Sequence, residues 1–189
     1  MVIYTVGHST RSIDELIAIL SEAGVTRVAD VRAFPMSRRH PHFNKDALSV
    51  TLSAAGIDYR HMPALGGRRK AQKGAPSHNG LWKVEAFRNY ADYAETAAFA
   101  DALRRLLAMA RRSRCAIMCA EAVWWRCHRR IVADYAITRG ARVVHIFGPT
   151  RSERATRTPF ARVDRRRRTL YYPLTAAARA SSRRSGTAS

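Results

Sequence analysis

Three cysteines lie within 13 residues of one another, and two of them stand beside residues that transfer protons or bind anions. Cys119 is followed closely by Glu121, and Cys127 is followed directly by His128 and Arg129. Cysteine attacks as a thiolate, and its pKa falls when arginine or protonated histidine lies nearby. The pattern therefore predicts a reactive thiol at one of these two positions, with a small buried core residue as the alternative for each.

Polar residues of related chemistry follow two other apolar runs of the chain. His8 and Ser9 follow the first run, at 2–6, after a single glycine, and Asp30 and Arg32 end the second. Histidine transfers protons near neutral pH, and the planar guanidinium group of arginine binds phosphate or carboxylate through paired hydrogen bonds. We therefore expect an anion held by arginine beside a histidine that moves protons.

The candidate site residues form two groups, for each of which a structural explanation stays open. The residues predicted to be catalytic are Cys119, Glu121, His8, Cys127 and His128. The residues predicted to bind the ligand are Arg129, Arg32, Ser9, Asp30, Arg38, Arg39, Gly67 and Arg68. In the structural explanation Glu121 pairs with Arg129, and Asp30 pairs with Arg32, whereas in the functional explanation Asp30 orients His8. Arg38 and Arg39 would then belong to a solvated surface.

A metal site and a phosphatase-type loop are further chemistries that these residue types suggest. A metal site could draw on Cys119, Cys127, His128, His8 and Glu121, since thiolate and imidazole groups together suit zinc. The chain contains no C-x-x-C or H-x-x-x-H pair, so metal ligands would have to meet through the fold, and the sequence assigns no metal ligand and no cofactor. Six residues separate Cys119 from Arg126, one more than the phosphatase signature has.

Alternation of apolar runs with helical patterns predicts an α/β fold. Strands are predicted at 2–6, 25–31, 57–62, 115–119 and 141–147. Ser12 and Glu15 have the spacing of a capping box, and apolar residues at helical spacing follow them up to Gly24. Further helices are predicted at 48–55, 87–94, 99–107 and 127–139. This order predicts a mainly parallel sheet with helices on both faces, a Rossmann-like three-layer architecture.

The predicted strands bring the candidate residues to one edge of that sheet. In open α/β sheets, ligands bind beyond the carboxyl ends of the strands, where helix N-termini offer free amide groups to anions. Candidate residues follow the first, second and fourth predicted strands. We therefore expect a polar pocket for an anionic small molecule, phosphate-bearing or nucleotide-like, which the protein binds or acts on.

Several motifs within residues 2–147 resemble those of a known family. They are TVGHS with the following Ser-x-x-Glu, DVRAFPMSRRHPHFN, LGGRR, NGLW and MCAEAVWWRCHRRIVAD. The family is the domain of unknown function 488 family of bacterial and archaeal proteins. The resemblance implies a soluble α/β fold and a site, but no settled activity. The positions that it marks are Gly7, His8, Ser9, Asp30, Arg32, Gly66, Gly67, Cys119, Glu121, Cys127, His128 and Arg129.

The chain is strongly basic, with a formal net charge of +20. Residues 150–189 alone hold 11 arginines against two acidic residues. Such a charge attracts polyanions without sequence preference. The alternative function is therefore a nucleic-acid-binding accessory protein, and the second alternative is a metal-binding regulatory domain. A solvated arginine-rich surface is the structural explanation.

Length and composition predict one domain over 1–149, a basic and partly packed extension over 150–174, and a disordered tail over 175–189. No apolar run approaches the roughly 18 residues that span a membrane. The N-terminus lacks the basic region of a signal peptide. Three closely spaced cysteines also argue against a secreted disulfide framework. We therefore expect a cytoplasmic protein without a membrane partner, and the sequence leaves its oligomeric state open.

Overall fold

A computed structural model describes residues 1–71 and 76–174 as a sheet between layers of helices, with a small hairpin after it. The strands are β1 (Val2–Gly7), β2 (Arg27–Asp30), β3 (Asp58–His61), β4 (Cys115–Cys119), β5 (Arg142–Gly148), β6 (Arg151–Arg154), β7 (Arg162–Asp164) and β8 (Thr169–Tyr171). The helices are α1 (Ile13–Glu22), α2 (Lys45–Ala54), α3 (Glu85–Ala94), α4 (Ala97–Arg112) and α5 (Arg129–Thr138).

The main sheet has six strands in the order β3-β2-β4-β1-β5-β6. The pairs among β1 to β5 are all parallel. Strand β6 is antiparallel to β5 and forms one edge of the sheet, while β3 forms the other. The predicted mainly parallel sheet is therefore confirmed. The antiparallel edge strand, a common addition to such sheets, was not predicted.

Two apolar clusters cover the two faces of the sheet. Cys115 and Ile117 of β4 belong to the cluster that contains α3, α4 and α5. Ala116 and Met118 belong to the cluster that contains α1 and α2. The residues alternate because successive side chains of a strand point to opposite faces. The predicted three-layer arrangement is confirmed. Within the described ranges, each helix is too short or too polar to cross a membrane.

Local signals determine where the helices begin. The Ser12 hydroxyl accepts a hydrogen bond from the Glu15 amide at 3.1 Å, and the Glu15 carboxylate accepts one from the Ser12 amide at 2.7 Å. The predicted capping box is therefore present. Helix α5 begins at Arg129, whereas the sequence pattern predicted a start at Cys127. A 3₁₀ turn at Trp124–Arg126 and an extended Cys127 precede it, so Cys127 lies before the helix instead of in its first turn.

The segment after β5 packs against the rest of the molecule. Strand β6 pairs with β5, and β7 pairs with β8 in a separate two-stranded sheet. Leu170 and Tyr172 are buried in the same apolar cluster as α4 and α5. Asp134 of α5 accepts hydrogen bonds from the Thr158 amide at 2.7 Å and from the Tyr172 hydroxyl at 2.9 Å. The tail at 175–189, predicted to be disordered, lies outside the described residues.

Candidate functional site

The carboxyl ends of β1, β2 and β4 open onto a cavity of about 510 Å³. These three strands are neighbours in the sheet, so the residues that follow them share one edge. The thirteen predicted site residues all line the cavity except Asp30, Arg38, Arg39 and Arg129. The fold thus brings together most of the residues that the sequence singled out.

The absence of a side chain at Gly7 lets β1 end directly against the residues that follow β4. A Cβ atom at residue 7 would lie 2.0 Å from the carbonyl oxygen of Glu121. The His8 amide continues the parallel pairing by donating to the Cys119 carbonyl at 2.9 Å. Ser9 follows with a φ of 51°, in the left-handed region that few non-glycine residues adopt. The Gly-His-Ser turn is therefore held against the floor of the cavity.

A buried ion pair anchors the residues that end β2. The Asp30 carboxylate accepts hydrogen bonds from the Arg32 guanidinium at 2.6 Å and from the Tyr59 hydroxyl at 2.6 Å. It also accepts a hydrogen bond from the Arg32 backbone amide at 3.0 Å. Burial favours the neutral form of Arg32, but its bonds to Asp30 and the charge of Asp30 outweigh burial and raise the pKa of Arg32. The structure thus contains the ion pair between Asp30 and Arg32, which was one of the predicted alternatives.

His8 is neutral, and its neighbours define which ring nitrogen carries the proton. Nη1 of Arg32 lies 3.3 Å from Nε2 of His8. Because guanidinium only donates, Nε2 accepts, and the Nδ1–H group donates to the Ser9 carbonyl at 3.0 Å. Burial, followed by the charge of Arg32, lowers the pKa of His8 to about 4. His8 is therefore unprotonated at neutral pH, and its role in proton transfer stays a prediction.

Two thiols and one imidazole meet at the floor of the cavity. Nδ1 of His128 lies 3.6 Å from Sγ of Cys127 and 4.0 Å from Sγ of Cys119. These three atoms all lie within 4.8 Å of one another. Nε2 of His128 lies 3.0 Å from the Val31 carbonyl oxygen, which only accepts, so Nε2 carries a proton. The other nitrogen of the ring therefore faces the two sulfur atoms.

The two thiols differ sharply in acidity. Burial raises the pKa of Cys127, but hydrogen bonds from Cys119 and His128, with the charges of His128 and Arg129, outweigh burial and hold this pKa well below its usual value. The hydrogen bond to Cys127, together with burial, holds the pKa of Cys119 well above its usual value. The thiolate form is therefore favoured at Cys127 over Cys119, and the Nε–H group of Arg129 donates to the Cys127 sulfur at 3.2 Å.

Arg129 is part of the wall behind the thiols. Its side chain is 1% exposed, and Nη2 donates to the backbone carbonyls of Glu121 and Ala122. Arg129 thereby holds the segment between β4 and α5 in place. The Glu121 carboxylate is not its ion-pair partner, since the contact is made by the backbone. The Glu121 side chain is exposed at the cavity.

The rim of the cavity combines cations with apolar side chains. Arg68 and Arg126 line the cavity and are exposed, and neither guanidinium group has a hydrogen-bond or ion-pair partner among residues 1–71 and 76–174. Phe34 and Met36 stand on the same rim and are 70% and 71% exposed. The mouth of the cavity therefore offers positive charge and an apolar surface side by side.

One family model matches most of the chain, over residues 12–136. It describes a domain of unknown function, DUF488. The chain belongs to this family. Comparisons with curated proteins and with solved structures found no match. The resemblance inferred from the motifs is thus confirmed, and the matched segment of the DUF488 domain contains every candidate residue except His8 and Ser9.

Four predicted ligand-binding residues of the DUF488 domain lie outside the cavity lining. Asp30 and Arg129 are buried and bonded to protein groups beside it. Arg38 and Arg39 are exposed on the loop between β2 and α2. Contact of these four residues with a ligand stays a prediction.

Several residues that line the cavity in this DUF488 domain were not among the sequence candidates. Phe34 and Met36 stand in the DVRAFPM segment, where large apolar residues within a basic loop were a usable signal. Tyr90 of α3 also lines the cavity, its ring centroid 5.0 Å from that of His128. Its helical spacing indicated a core position, and its hydroxyl does donate to the Leu65 carbonyl at 2.7 Å. Spacing alone cannot reveal that such a residue also faces a cavity.

Proposed function

We propose that this DUF488 domain binds a phosphate-bearing, nucleotide-like anionic ligand in the cavity beyond β1, β2 and β4. The observation that carries this proposal is the pair Arg68 and Arg126, two exposed arginines on the rim whose guanidinium groups have no partner among the described residues. Guanidinium groups bind phosphate oxygens through charge-assisted hydrogen bonds. The exposed side chains of Phe34 and Met36 offer an apolar surface on which a base could stack.

The floor of the cavity gives the pocket the means to act on such a ligand. A thiolate is the form of cysteine that attacks an electrophile or binds a metal, and Cys127 is favoured as a thiolate. It shares the cavity with the two rim arginines. This arrangement favours an enzyme over a simple binding protein, with the rim holding the anionic group and the thiol cluster facing it.

Calorimetric titration with the four nucleoside monophosphates, and with the matching uncharged nucleosides, tests the proposal. We expect saturable binding of at least one monophosphate and weaker binding of its nucleoside. The double variant Arg68→Gln/Arg126→Gln should lose about tenfold or more in affinity, because a hydrogen bond to a charged group contributes about 1.5–3 kcal/mol.

The matched control is Arg111→Gln/Arg112→Gln, which removes two exposed arginines from the last turn of α4. This control should bind as the unmodified protein does. Absence of binding by all four monophosphates, or equal affinity of the two double variants, would overturn the proposal.

Nucleic-acid binding is a second candidate because of the hairpin formed by β7 and β8. Its turn consists of four consecutive exposed arginines, Arg165–Arg168, of which Arg167 lies 3.9 Å from Asp164. If this surface binds nucleic acid, affinity for a duplex of random sequence should fall steeply with salt. Glutamine at all four positions should flatten that dependence, while leaving nucleotide binding in the cavity intact. An unchanged salt dependence in this variant would exclude the hairpin as the binding surface.

A further inference from the structure

The donor atoms of Cys119, Cys127 and His128 converge on one point although they come from separate parts of the fold. Cys119 ends β4, whereas Cys127 and His128 form the short connection between the 3₁₀ turn at Trp124–Arg126 and α5. The two sulfur atoms and Nδ1 of His128 lie within 4.8 Å of one another. A thiolate pair with an imidazole is a donor set that zinc prefers.

The separations agree with those of a tetrahedral ion. With zinc–sulfur bonds of about 2.3 Å and a zinc–nitrogen bond of about 2.0–2.1 Å, tetrahedral angles put sulfur and nitrogen about 3.6 Å apart and two sulfurs about 3.8 Å apart. The observed distances from Nδ1 of His128 are 3.6 Å to Cys127 and 4.0 Å to Cys119. Only small side-chain movements separate this arrangement from a coordination sphere.

The surrounding groups orient the donors as the second shell of a metal site does. A histidine that binds a metal usually donates its other ring N–H to a carbonyl or carboxylate. Nε2 of His128 donates to the Val31 carbonyl, which leaves Nδ1 directed at the sulfur atoms. The Nε–H group of Arg129 donates to the Cys127 sulfur at 3.2 Å. Together these two contacts fix the direction of two donors.

Gly67 lies so close to the imidazole of His128 that no side chain fits between them. A Cβ atom at residue 67 would lie 2.9 Å from Nδ1 of His128, closer than real contacts allow. The glycine of the LGGRR motif therefore avoids an overlap that any side chain at this position would make with the imidazole. A side chain here would push the imidazole away from its position beside the two sulfur atoms.

We propose that Cys119, Cys127 and His128 bind one zinc ion and leave its fourth coordination position open towards the cavity. All three residues line the cavity, and among residues 1–71 and 76–174 no fourth histidine, cysteine or carboxylate joins the cluster. Three protein ligands and one open position are typical of catalytic zinc sites, whereas structural sites have four protein ligands. The proposed zinc site is inferred from these contacts alone and does not depend on which anion the cavity binds.

Titration of the reduced, metal-free full-length protein with cobalt(II), followed by zinc, tests the site without any substrate. Thiolate-to-cobalt absorption in the near ultraviolet and the strong visible bands of four-coordinate cobalt report the donor set. We expect one cobalt ion per chain, displaced by one zinc ion. Azide should change the visible bands, because it enters the open position. Unchanged bands would contradict that open position.

Three alanine variants separate the cluster from the remaining cysteine. Cys119→Ala and Cys127→Ala should each lower cobalt affinity about 100-fold or more, since each removes a ligand and loss of even an outer contact costs 10–100-fold. Cys115→Ala removes a buried thiol of β4 outside the cluster and should bind cobalt as the unmodified protein does. Equal affinity in all three variants would overturn the proposal.

A second measurement uses the unmodified protein, so it does not depend on how the variants fold. Stoichiometric zinc should slow the alkylation of Cys119 and Cys127, mapped by peptide, and a chelator should restore it. Alkylation rates that zinc leaves unchanged, together with the absence of stoichiometric cobalt uptake, would overturn the site. Nucleotide titration of the metal-free protein is a separate experiment, so its failure would count against the proposed ligand and not against the ion.

Discussion

The ring of His128 is oriented by the backbone of Val31, to whose carbonyl oxygen Nε2 donates at 3.0 Å. Val31 directly follows β2, and His128 directly precedes α5, so this bond joins two segments that are 97 residues apart. The ring orientation is therefore determined by the fold before any ligand arrives. Sites built this way need little rearrangement on binding.

The first prediction concerns the order in which the three cysteines react. In the presence of a chelator, Cys127 should be alkylated faster than Cys119 at neutral pH, because its pKa is held well below the usual value. Alkylation of Cys127 should continue when the pH is lowered below the usual range of thiol pKa values. Cys115, whose pKa burial raises to about 12, should react only on unfolding and serves as the internal control. Peptide mapping of the alkylated protein measures all three, and a Cys119 rate above that of Cys127 would contradict the assignment.

The second prediction concerns the close approach at Gly7. Gly7→Ala should lower the free energy of unfolding by about 2 kcal/mol or more, because its Cβ would lie 2.0 Å from the Glu121 carbonyl oxygen and the backbone would have to move. Gly148→Ala is the matched control, since a Cβ at that position meets nothing within 4 Å. Urea denaturation measures both. Similar losses of unfolding free energy in the two variants would show that the approach of residue 7 to the Glu121 carbonyl is not tight.

The third prediction concerns His145, which is buried on β5 between the Thr5 hydroxyl at 2.7 Å and the Trp124 ring at 4.4 Å. Burial, followed by the charge of Arg129, lowers its pKa from 6.5 to about 4. The unfolded chain therefore binds a proton at a higher pH than the folded chain does, and stability present above pH 6.5 is lost as the pH falls towards 4.

We expect His145 to contribute about 3 kcal/mol to this loss, at about 1.36 kcal/mol per unit of pKa shift. His8 contributes in the same window, since its pKa is also lowered to about 4. His145→Gln should therefore flatten the dependence of unfolding free energy on pH without abolishing it. Chemical denaturation of the metal-free protein at several pH values between 4 and 7 measures the slope, and an unchanged slope would refute the role of His145.

The fourth prediction concerns the bonds that hold the C-terminal segment to α5. Tyr172→Phe should lower the free energy of unfolding by about 1–3 kcal/mol, because it leaves the buried Asp134 carboxylate without one of its donors. The neighbouring Tyr171→Phe removes a hydroxyl for which the described residues offer no hydrogen-bond partner, and it should change stability little. Urea denaturation of the pair gives the difference directly. Equal stability of the two variants would mean that the bond to Asp134 contributes nothing net.

These bonds also change how the basic C-terminal residues are tested. Deletion of residues 150–189 would remove β6 and the buried Leu170 and Tyr172 together with the basic residues. Loss of nucleic-acid binding in that protein would reflect loss of packing as well as loss of charge. Truncation after Leu174 keeps these elements and still removes three arginines.

The sheet and its helices followed from local patterns that need no knowledge of distant contacts. The capping box of Ser12 and Glu15 is present, and the apolar run at Cys115–Cys119 forms a buried central strand. The edge strand β6 was not predicted because all of its residues are exposed and it carries no alternating apolar pattern. Patterns of burial cannot reveal a strand that buries no side chain.

The candidate site was predicted in its residue types but not in its contacts. The candidate residues lie together at the ends of their strands, because parallel strands share a carboxyl edge. The approach of Cys119 to His128 depends on the 3₁₀ turn at Trp124–Arg126, which the sequence pattern did not predict. Likewise, nothing in the spacing showed that Arg129 bonds to backbone carbonyls, because that contact depends on how a loop folds back.

The exposed strand β6 has a consequence for how copies of this chain behave at high concentration. Its four residues are all exposed and include Arg151, Glu153 and Arg154, while β3 at the opposite edge exposes Asp58 and Arg60. Charged edge strands resist pairing with strands of another molecule. We therefore expect the charged residues of β6 and β3 to hinder pairing of these two edges, as the described residues form them, with another copy of the chain, a contribution to colloidal stability that does not require binding of a polyanion.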